Sequence, residues 1–268
     1  MVGRPVDMFY RKEEHPIGEV VFEVEDLLVS KDAPPVSFTV RKGEILGIAG
    51  MVGSGRTEIA NAIVGAAWKF GGVVRYNGKV LDIRTPRDSI NHGIAYITED
   101  RQQLGLMLGG SITENLTIVG LDKKFKGFFF SVKRSVNKVI DIIKRLQIRM
   151  VSPMQQVQNL SGGNQQKVVL GKWLFTDCDL FIFDEPTRGI DVNAKAEFYK
   201  MMSELTQQGK SIIMISSDMP EIISMCDRIV VLRKGRVERI LEKEEISENS
   251  IIRYALEVAE NGKNKHVG

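Results

Sequence analysis

Asn159 to Asp191, NLSGGNQQKVVLGKWLFTDCDLFIFDEPTRGID, carries two motifs around which the rest of the chain takes its place. Leu160, Ser161, Gly162, Gly163, Asn164 and Gln165 make a small, Gly-rich loop that opens a helical run through Lys167, Val168, Val169, Leu170, Trp173 and Leu174. Unpaired backbone N–H groups and the positive end of a helix dipole then face outward, and such a loop can hold a phosphate. Leu180, Phe181, Ile182 and Phe183 form an unbroken apolar run, too short for a helix of its own and typical of a strand buried on both faces. The run ends in Asp184 and Glu185, and two acids at the carboxyl end of a buried strand mark a site.

A second Gly-rich turn stands earlier in the chain. Ile45 to Ala49 reads as a buried strand that enters Gly50-Met51-Val52-Gly53-Ser54-Gly55-Arg56-Thr57. This fits the phosphate-cradling pattern GxxxxGK[ST] except that Arg56 replaces the lysine. The glycines let successive N–H groups curl round phosphates, and Thr57 is placed to ligate Mg²⁺. A compact ammonium tucks between phosphates, whereas a bulkier planar guanidinium cannot take the same place. Two readings stand: a weakened phosphate site, or a turn that no longer binds nucleotide.

With 268 residues, 43% hydrophobic and 26% charged, the chain is long enough for one large α/β core. The formal net charge of +3 comes from scattered Lys and Arg without basic blocks or interleaved aromatics, which argues against a nucleic-acid partner. Cys178 and Cys226 lack metal-ligand spacing and read as buried, reduced thiols of a cytosolic protein. There is no signal-peptide pattern, and no apolar run approaches the roughly 18 residues of a membrane span. A membrane role is expected to come through a partner.

Taken together, the Leu160–Gln165 loop, the strand ending in Asp184-Glu185 and the turn that follows resemble the signature loop, Walker B strand and D-loop of the ATP-binding cassette family. TEDR at Thr98, PTRGID at Pro186 and SSDMPE at Ser216 are similar to the second, C-terminal cassette of ribose- and galactose-type importer ATPases, and the likeness covers nearly the whole chain. The resemblance implies an α/β fold: a P-loop NTPase (RecA-like) core with a mainly parallel sheet, an antiparallel β subdomain and an inserted helical signature subdomain. The expected organisation is a linker or arm over residues 1–18, a cassette over 19–260 with its helical subdomain at about 102–176, and a disordered tail over 261–268. Met-Val-Gly-Arg at the start looks like the stretch that joins a first cassette to a second; an ordinary disordered terminus is the other reading.

Val20 to Leu28, Val36 to Val40 and Val73 to Leu81 read as the antiparallel subdomain, with Asn77-Gly78 as a hairpin turn. Family members usually follow the first strand with an aromatic residue that stacks on adenine, and Leu28 to Pro35 contains none. Ile94 to Ile97 is a strand running into Thr98-Glu99, where the family mostly carries a glutamine that helps ligate Mg²⁺; Glu99 reads either as a metal-binding carboxylate or as an ordinary solvated acid. Within 102–158, Val132, Val136, Val139, Ile140, Ile143 and Leu146 recur at helical spacing and are expected in the core. Phe125, Phe128, Phe129 and Phe130, with Leu116, Ile118, Val119 and Leu121 before them, form an apolar group that either docks a membrane subunit or simply packs.

Phe198, Met201, Met202 and Leu205 mark an amphipathic helix, and Ile212 to Ile215 a buried strand. Ser217 follows, where the family places a switch histidine that contacts the γ-phosphate. None of the three histidines, His15, His92 and His266, follows this strand. A serine hydroxyl can bond phosphate but cannot carry the imidazole's charge. Ile229 to Leu241 reads as a hairpin through Lys234-Gly235, and Ile246 to Val258 as a final helix.

The resemblance implies ATP and Mg²⁺ as cofactors. Gly50, Gly53, Ser54, Gly55, Arg56, Thr57, Glu58 and Asp184 form the cofactor site, with Thr57, Asp184 and Glu99 as metal ligands. Glu185 is the base, and Glu99 and Ser217 stand at two further catalytic positions. Ser161, Gly162, Gly163 and Asn164 act on the ATP of a partner cassette. Implied partners are that second cassette, transmembrane permease subunits and, indirectly, a sugar-binding protein, at the cytoplasmic face of the membrane. The expected function is therefore an importer ATPase domain with a degenerate site of its own. The other reading is a nucleotide-responsive docking module with no part in hydrolysis.

Overall fold

The computed structural model describes residues 12–120 and 132–256. Its centre is a six-stranded sheet with strand order β10-β9-β3-β8-β7-β6. The strands are β3 (Ile45–Gly50), β6 (Ile94–Ile97), β7 (Leu180–Asp184), β8 (Ser211–Ile215), β9 (Arg228–Arg233) and β10 (Arg236–Leu241). Neighbours are parallel from β9 through β3, β8 and β7 to β6, and only the β9–β10 hairpin is antiparallel. A second, four-stranded antiparallel sheet has the order β2-β1-β4-β5, from β1 (Val20–Leu28), β2 (Val36–Arg41), β4 (Gly71–Tyr76) and β5 (Lys79–Val80). Asn77 and Gly78 join β4 to β5 with φ of 49 and 72, the left-handed geometry of a tight hairpin turn.

Because side chains alternate across a strand, each central strand feeds two cores. Leu46 and Ile48, Leu180 and Ile182, and Ile213 and Ile215 pack with Phe22, Val24 and Phe38 of the small sheet and with Ile59 and Ile63 of α1 (Arg56–Val64). Their neighbours Ile45, Phe181, Phe183, Ile212 and Met214 face the other helices. Both cysteines are buried, and neither is in a disulfide. Gly65 ends α1 at φ 72, and a Cβ there would lie 2.7 Å from the Thr85 nitrogen, so both the turn and the close approach to α2 (Pro86–Asn91) require glycine.

The inserted region begins with a short π-helical turn, Arg101–Gly105, then α3 (Ile112–Thr117), α4 (Val132–Arg145) and α5 (Gly162–Phe175). Its core is narrower than the periodicity suggests. Val139, Ile143 and Leu146 are buried, joined by Ile142, but Val136 and Ile140 are exposed. Ile140 lies about 100° round the helix from Val139, at the edge of the face that meets α3 and α5. For Leu116 the structure decides between the two readings: it is fully buried, and a Cβ on Gly171 of α5 would sit 2.6 Å from its Cδ2, so it packs inside the subdomain while Ile118 stays exposed. Leu121, Phe125 and Phe128–130 lie outside the described residues, and so does the tail beyond 256. The chain closes with α6 (Val192–Gln207), α7 (Met219–Met225) and α8 (Glu248–Leu256).

Of the stretch read as an arm, residues 12–18 are bound to the body. Lys12 is buried and pairs with Asp227. A His15 ring nitrogen lies 2.8 Å from the Gly43 carbonyl, and the Gly18 N–H donates to Lys42 at 2.9 Å. No helix among the described residues is long and apolar enough to cross a membrane.

Candidate nucleotide site

The ends of β3, β7 and β8 stand side by side, so the loops that leave them converge. Gly50 to Gly55 turns from β3 into α1, with Gly53 at φ 79 and Gly55 at φ 96. No heavy atom lies within 4 Å of where a Gly53 Cβ would point, so the turn is open on that side. The tip of the β9–β10 hairpin braces the loop through the Gly235 N–H, which donates to the Ser54 carbonyl at 3.0 Å. Ser54 is buried, and its hydroxyl has no hydrogen-bond partner among the described residues. A buried polar atom without a partner is expensive unless a ligand completes it.

Asp184 repeats the pattern at the end of β7. It is 1% exposed, Oδ2 accepts from the Tyr96 hydroxyl at 3.1 Å, and Oδ1 is unpartnered. Burial pushes its pKa up to about 6, against the pull of the Thr57 and Tyr96 hydroxyls. Asp184 facing Thr57, with a buried oxygen left over, suits a hard divalent cation such as Mg²⁺. Glu99 is exposed on the same side, with its carboxylate 3.5 Å from Arg188. Glu185 follows at φ 48, a strained value for a non-glycine residue, held by its N–H donating to the Ile215 carbonyl at 2.8 Å.

Arg56 does not point into the open turn. Its Nη1 donates to the Ser216 carbonyl at 2.8 Å, and its Nη2 lies 3.8 Å from Glu185 Oε1. The guanidinium thus bridges the loop after β8 to the acid expected to serve as base. Ser217, the next residue, is exposed, as is Glu58 in the first turn of α1. The 32–34 segment and the hairpin residues Arg233, Lys234 and Arg236 line a neighbouring cleft of about 440 Å³ without an aromatic side chain.

Ser161, Gly163 and Asn164 lie elsewhere, in a separate cleft of about 500 Å³ shared with Lys167 and Glu197. Ser161 caps α5, accepting from the Asn164 backbone N–H at 3.4 Å and also from its Nδ2 at 2.9 Å, and the Asn164 Oδ1 accepts from the Arg149 N–H at 2.8 Å. A Cβ on Gly163 would come 2.7 Å from the Ala194 Cβ, so only glycine lets α5 start this close to α6. Lys167 is neutralised by Glu197 at 2.6 Å.

Two residues here escape sequence reasoning. Glu221, 1% exposed, accepts from the Thr187 hydroxyl at 3.0 Å and from the Ser216 hydroxyl at 2.5 Å, tying the loop after β7 to the loop after β8. Burial raises its pKa to about 7. Tyr96 is the other, and its only sequence signal is a hydroxyl inside an apolar strand.

A family model described as "ABC transporter" matches residues 34–188. The chain is 47% identical over 255 residues to a protein of Rhizobium etli named as a candidate ribose/galactose/methyl galactoside import ATP-binding protein, covering 95% of this chain and 49% of that one. It is 44% identical over 258 residues to a ribose import ATP-binding protein of Clostridium perfringens, covering 96% and 51%. It therefore spans about half the length of these relatives. Among solved structures, the ADP form of the ATP-binding cassette MJ1267 superposes with a TM-score of 0.73 at 20% identity, over 88% of this chain and 98% of that one. CbiO1 of Clostridium perfringens, part of the ABC transporter complex CbiONQ, gives 0.73 at 20%, over 88% and 94%. At that identity both speak to the fold alone.

Proposed function

The chain belongs to the ABC transporter family, and on that premise we propose that it is the nucleotide-binding cassette of a ribose- or galactose-type sugar importer, in which ATP binding and hydrolysis drive transport. Its own site is degenerate, and its signature loop completes the site of a second cassette. Permease subunits in the membrane and, through them, a sugar-binding protein are the further partners, with the cassette on the cytoplasmic face. The names of the relatives support the sugar class.

The observation that carries the proposal is the Arg56 bridge. A bound phosphate chain has to compete with Glu185 and the Ser216 carbonyl for the guanidinium, both within 3.8 Å of it. The turn, Thr57 and Asp184 would hold Mg·ATP, whose bound cation supplies charge against the developing phosphate oxygens. Glu185 would accept the proton of the attacking water, for which its carboxylate has to leave the neighbourhood of Arg56. Ser217 offers a hydroxyl in place of an imidazole. By contrast, the Ser161–Asn164 cleft keeps its cap, its glycines and its opening, which supports a role towards a partner's ATP and speaks against a docking module with no part in hydrolysis.

Calorimetric titration and a phosphate-release assay on the chain test this. Weak Mg·ATP binding and very slow turnover are expected. Turnover on the order of 1 to 10 per second, usual for working enzymes, would overturn the degenerate-site reading.

A further inference from the structure

The hydroxyl of Tyr96 reaches the buried carboxylate at the end of β7. Tyr96 lies in β6 opposite Ile182 of the parallel neighbour β7, and alternation puts Asp184, two positions further on, on the same face as Ile182. The step along the strand is about 6.6 Å, a span that a phenol covers and the short hydroxyl of serine or threonine does not. The half-buried ring packs against the core that contains Ile59 and Ile63 of α1, the helix that starts at the P-loop. From there its hydroxyl donates to Asp184 Oδ2 at 3.1 Å. Asp184 Oδ1 stays buried without a partner among the described residues, and Thr57 faces the same carboxyl from the first turn of α1.

We propose that Tyr96 is a positioning residue for the metal: it holds Asp184 by one oxygen, so that the other is presented to the divalent cation of Mg·ATP. The proposal rests on the nucleotide-site reading given above. The terminal torsion of an aspartate is broad, so an unsecured carboxylate can turn either oxygen towards a cation or both away from it. A donor on Oδ2 fixes the plane of the group and with it the direction of Oδ1. Because the phenol is uncharged, the carboxylate keeps its full charge for a hard cation, which a lysine or arginine in that place would cancel. Phenylalanine would fill the strand position and the core equally well, so packing alone does not call for the hydroxyl.

The probes are ATP in excess EDTA and Mn·ATP, titrated separately onto the chain, with the bound Mn²⁺ followed by electron paramagnetic resonance. Wild type is expected to bind Mn·ATP more tightly than metal-free ATP. Tyr96→Phe, which keeps the ring, is expected to lose about tenfold in affinity for Mn·ATP, to alter the spectrum of the bound ion, and to hold metal-free ATP within about twofold of wild type. In an Asp184→Asn background, where the charge that binds the metal is already gone, Tyr96→Phe should change the affinity for Mn·ATP by no more than about twofold. Tyr96→Leu, which also lacks the hydroxyl, carries the test if the phenylalanine variant does not fold. Equal losses for the two probes would show a hydroxyl that serves only the local fold. An unchanged affinity for Mn·ATP, or an undiminished loss in the Asp184→Asn background, would show that it does not act through Asp184. Each of these results overturns the proposal, as does a wild type that binds the two probes equally well. A wild type that binds neither would instead overturn the nucleotide-site reading, and the proposal with it.

Discussion

Glu221→Gln separates what a buried acid costs the fold from what it does for the site. The unfolded chain ionises this carboxyl near 4.5, whereas burial raises it to about 7 in the folded chain, a value that already counts the bonds from Ser216 and Thr187. Below 4.5 both states hold the proton and the difference costs nothing. Between 4.5 and about 7 the folded chain keeps a proton that the unfolded chain has released, so stability is lost as pH rises, and above about 7 the loss is complete. At about 1.36 kcal/mol per pH unit this amounts to roughly 3 kcal/mol. Glutamine keeps the shape, an acceptor for one hydroxyl and a donor for the other, and has no charge to desolvate. The charges of Asp218, which raises the pKa of Glu221, and Lys195, which lowers it, are likewise counted in that value.

Urea unfolding should therefore find Glu221→Gln more stable than wild type by up to about 3 kcal/mol near pH 8.5, shrinking to roughly 1 kcal/mol near pH 5.5, with an unchanged dependence on denaturant. A variant less stable than wild type near pH 8.5, or a difference that does not change with pH, would refute the reasoning.

Arg56→Lys releases Glu185 and the Ser216 carbonyl from the guanidinium, so Mg·ATP binding by the chain should tighten by about tenfold in a titration, while turnover stays slow because Ser217 and Glu99 remain; brisk hydrolysis by this single variant would show that the missing histidine matters little. Gly171→Val forces methyl groups against Leu116, Ile142 and Leu146, whose nearest atoms lie 2.6 to 3.1 Å from a Cβ at that position. A loss of about 1–3 kcal/mol or more is expected in urea unfolding, and an unchanged midpoint would contradict the packing of α3 and α4 on α5.

The parts of the fold that follow from local pattern were legible. Strands such as Leu180–Asp184 and Ser211–Ile215 are continuous apolar runs because both their faces are covered, and a glycine turn announces itself by residue type. In the helical region the pattern misled, because Val136 and Ile140 keep an apolar spacing at the edge of a buried face, and sequence alone does not say how wide that face is. The site divides in the same way. Which residues line the P-loop could be read, but where Arg56 goes could not: its partners, Ser216 and Glu185, are 160 and 129 positions away and become neighbours only when β8 pairs with β3 and β7 with β8 in the sheet. Glu221 was visible only as a letter in a short motif. It joins two loops, and a join has no signature within either loop.

The central claim is that the chain's own site is impaired while its signature loop works on a partner's ATP. ATP turnover of the assembled importer, measured with Gly162→Asp and Arg56→Ala introduced separately beside wild type, tests it most directly. An aspartate at 162 pushes a Cβ towards Arg101 and Gly189 and a negative charge towards the start of α5. The account predicts a fall of more than about 100-fold for Gly162→Asp and of no more than about 3-fold for Arg56→Ala. Equal losses from the two changes, or little loss from Gly162→Asp, would contradict it.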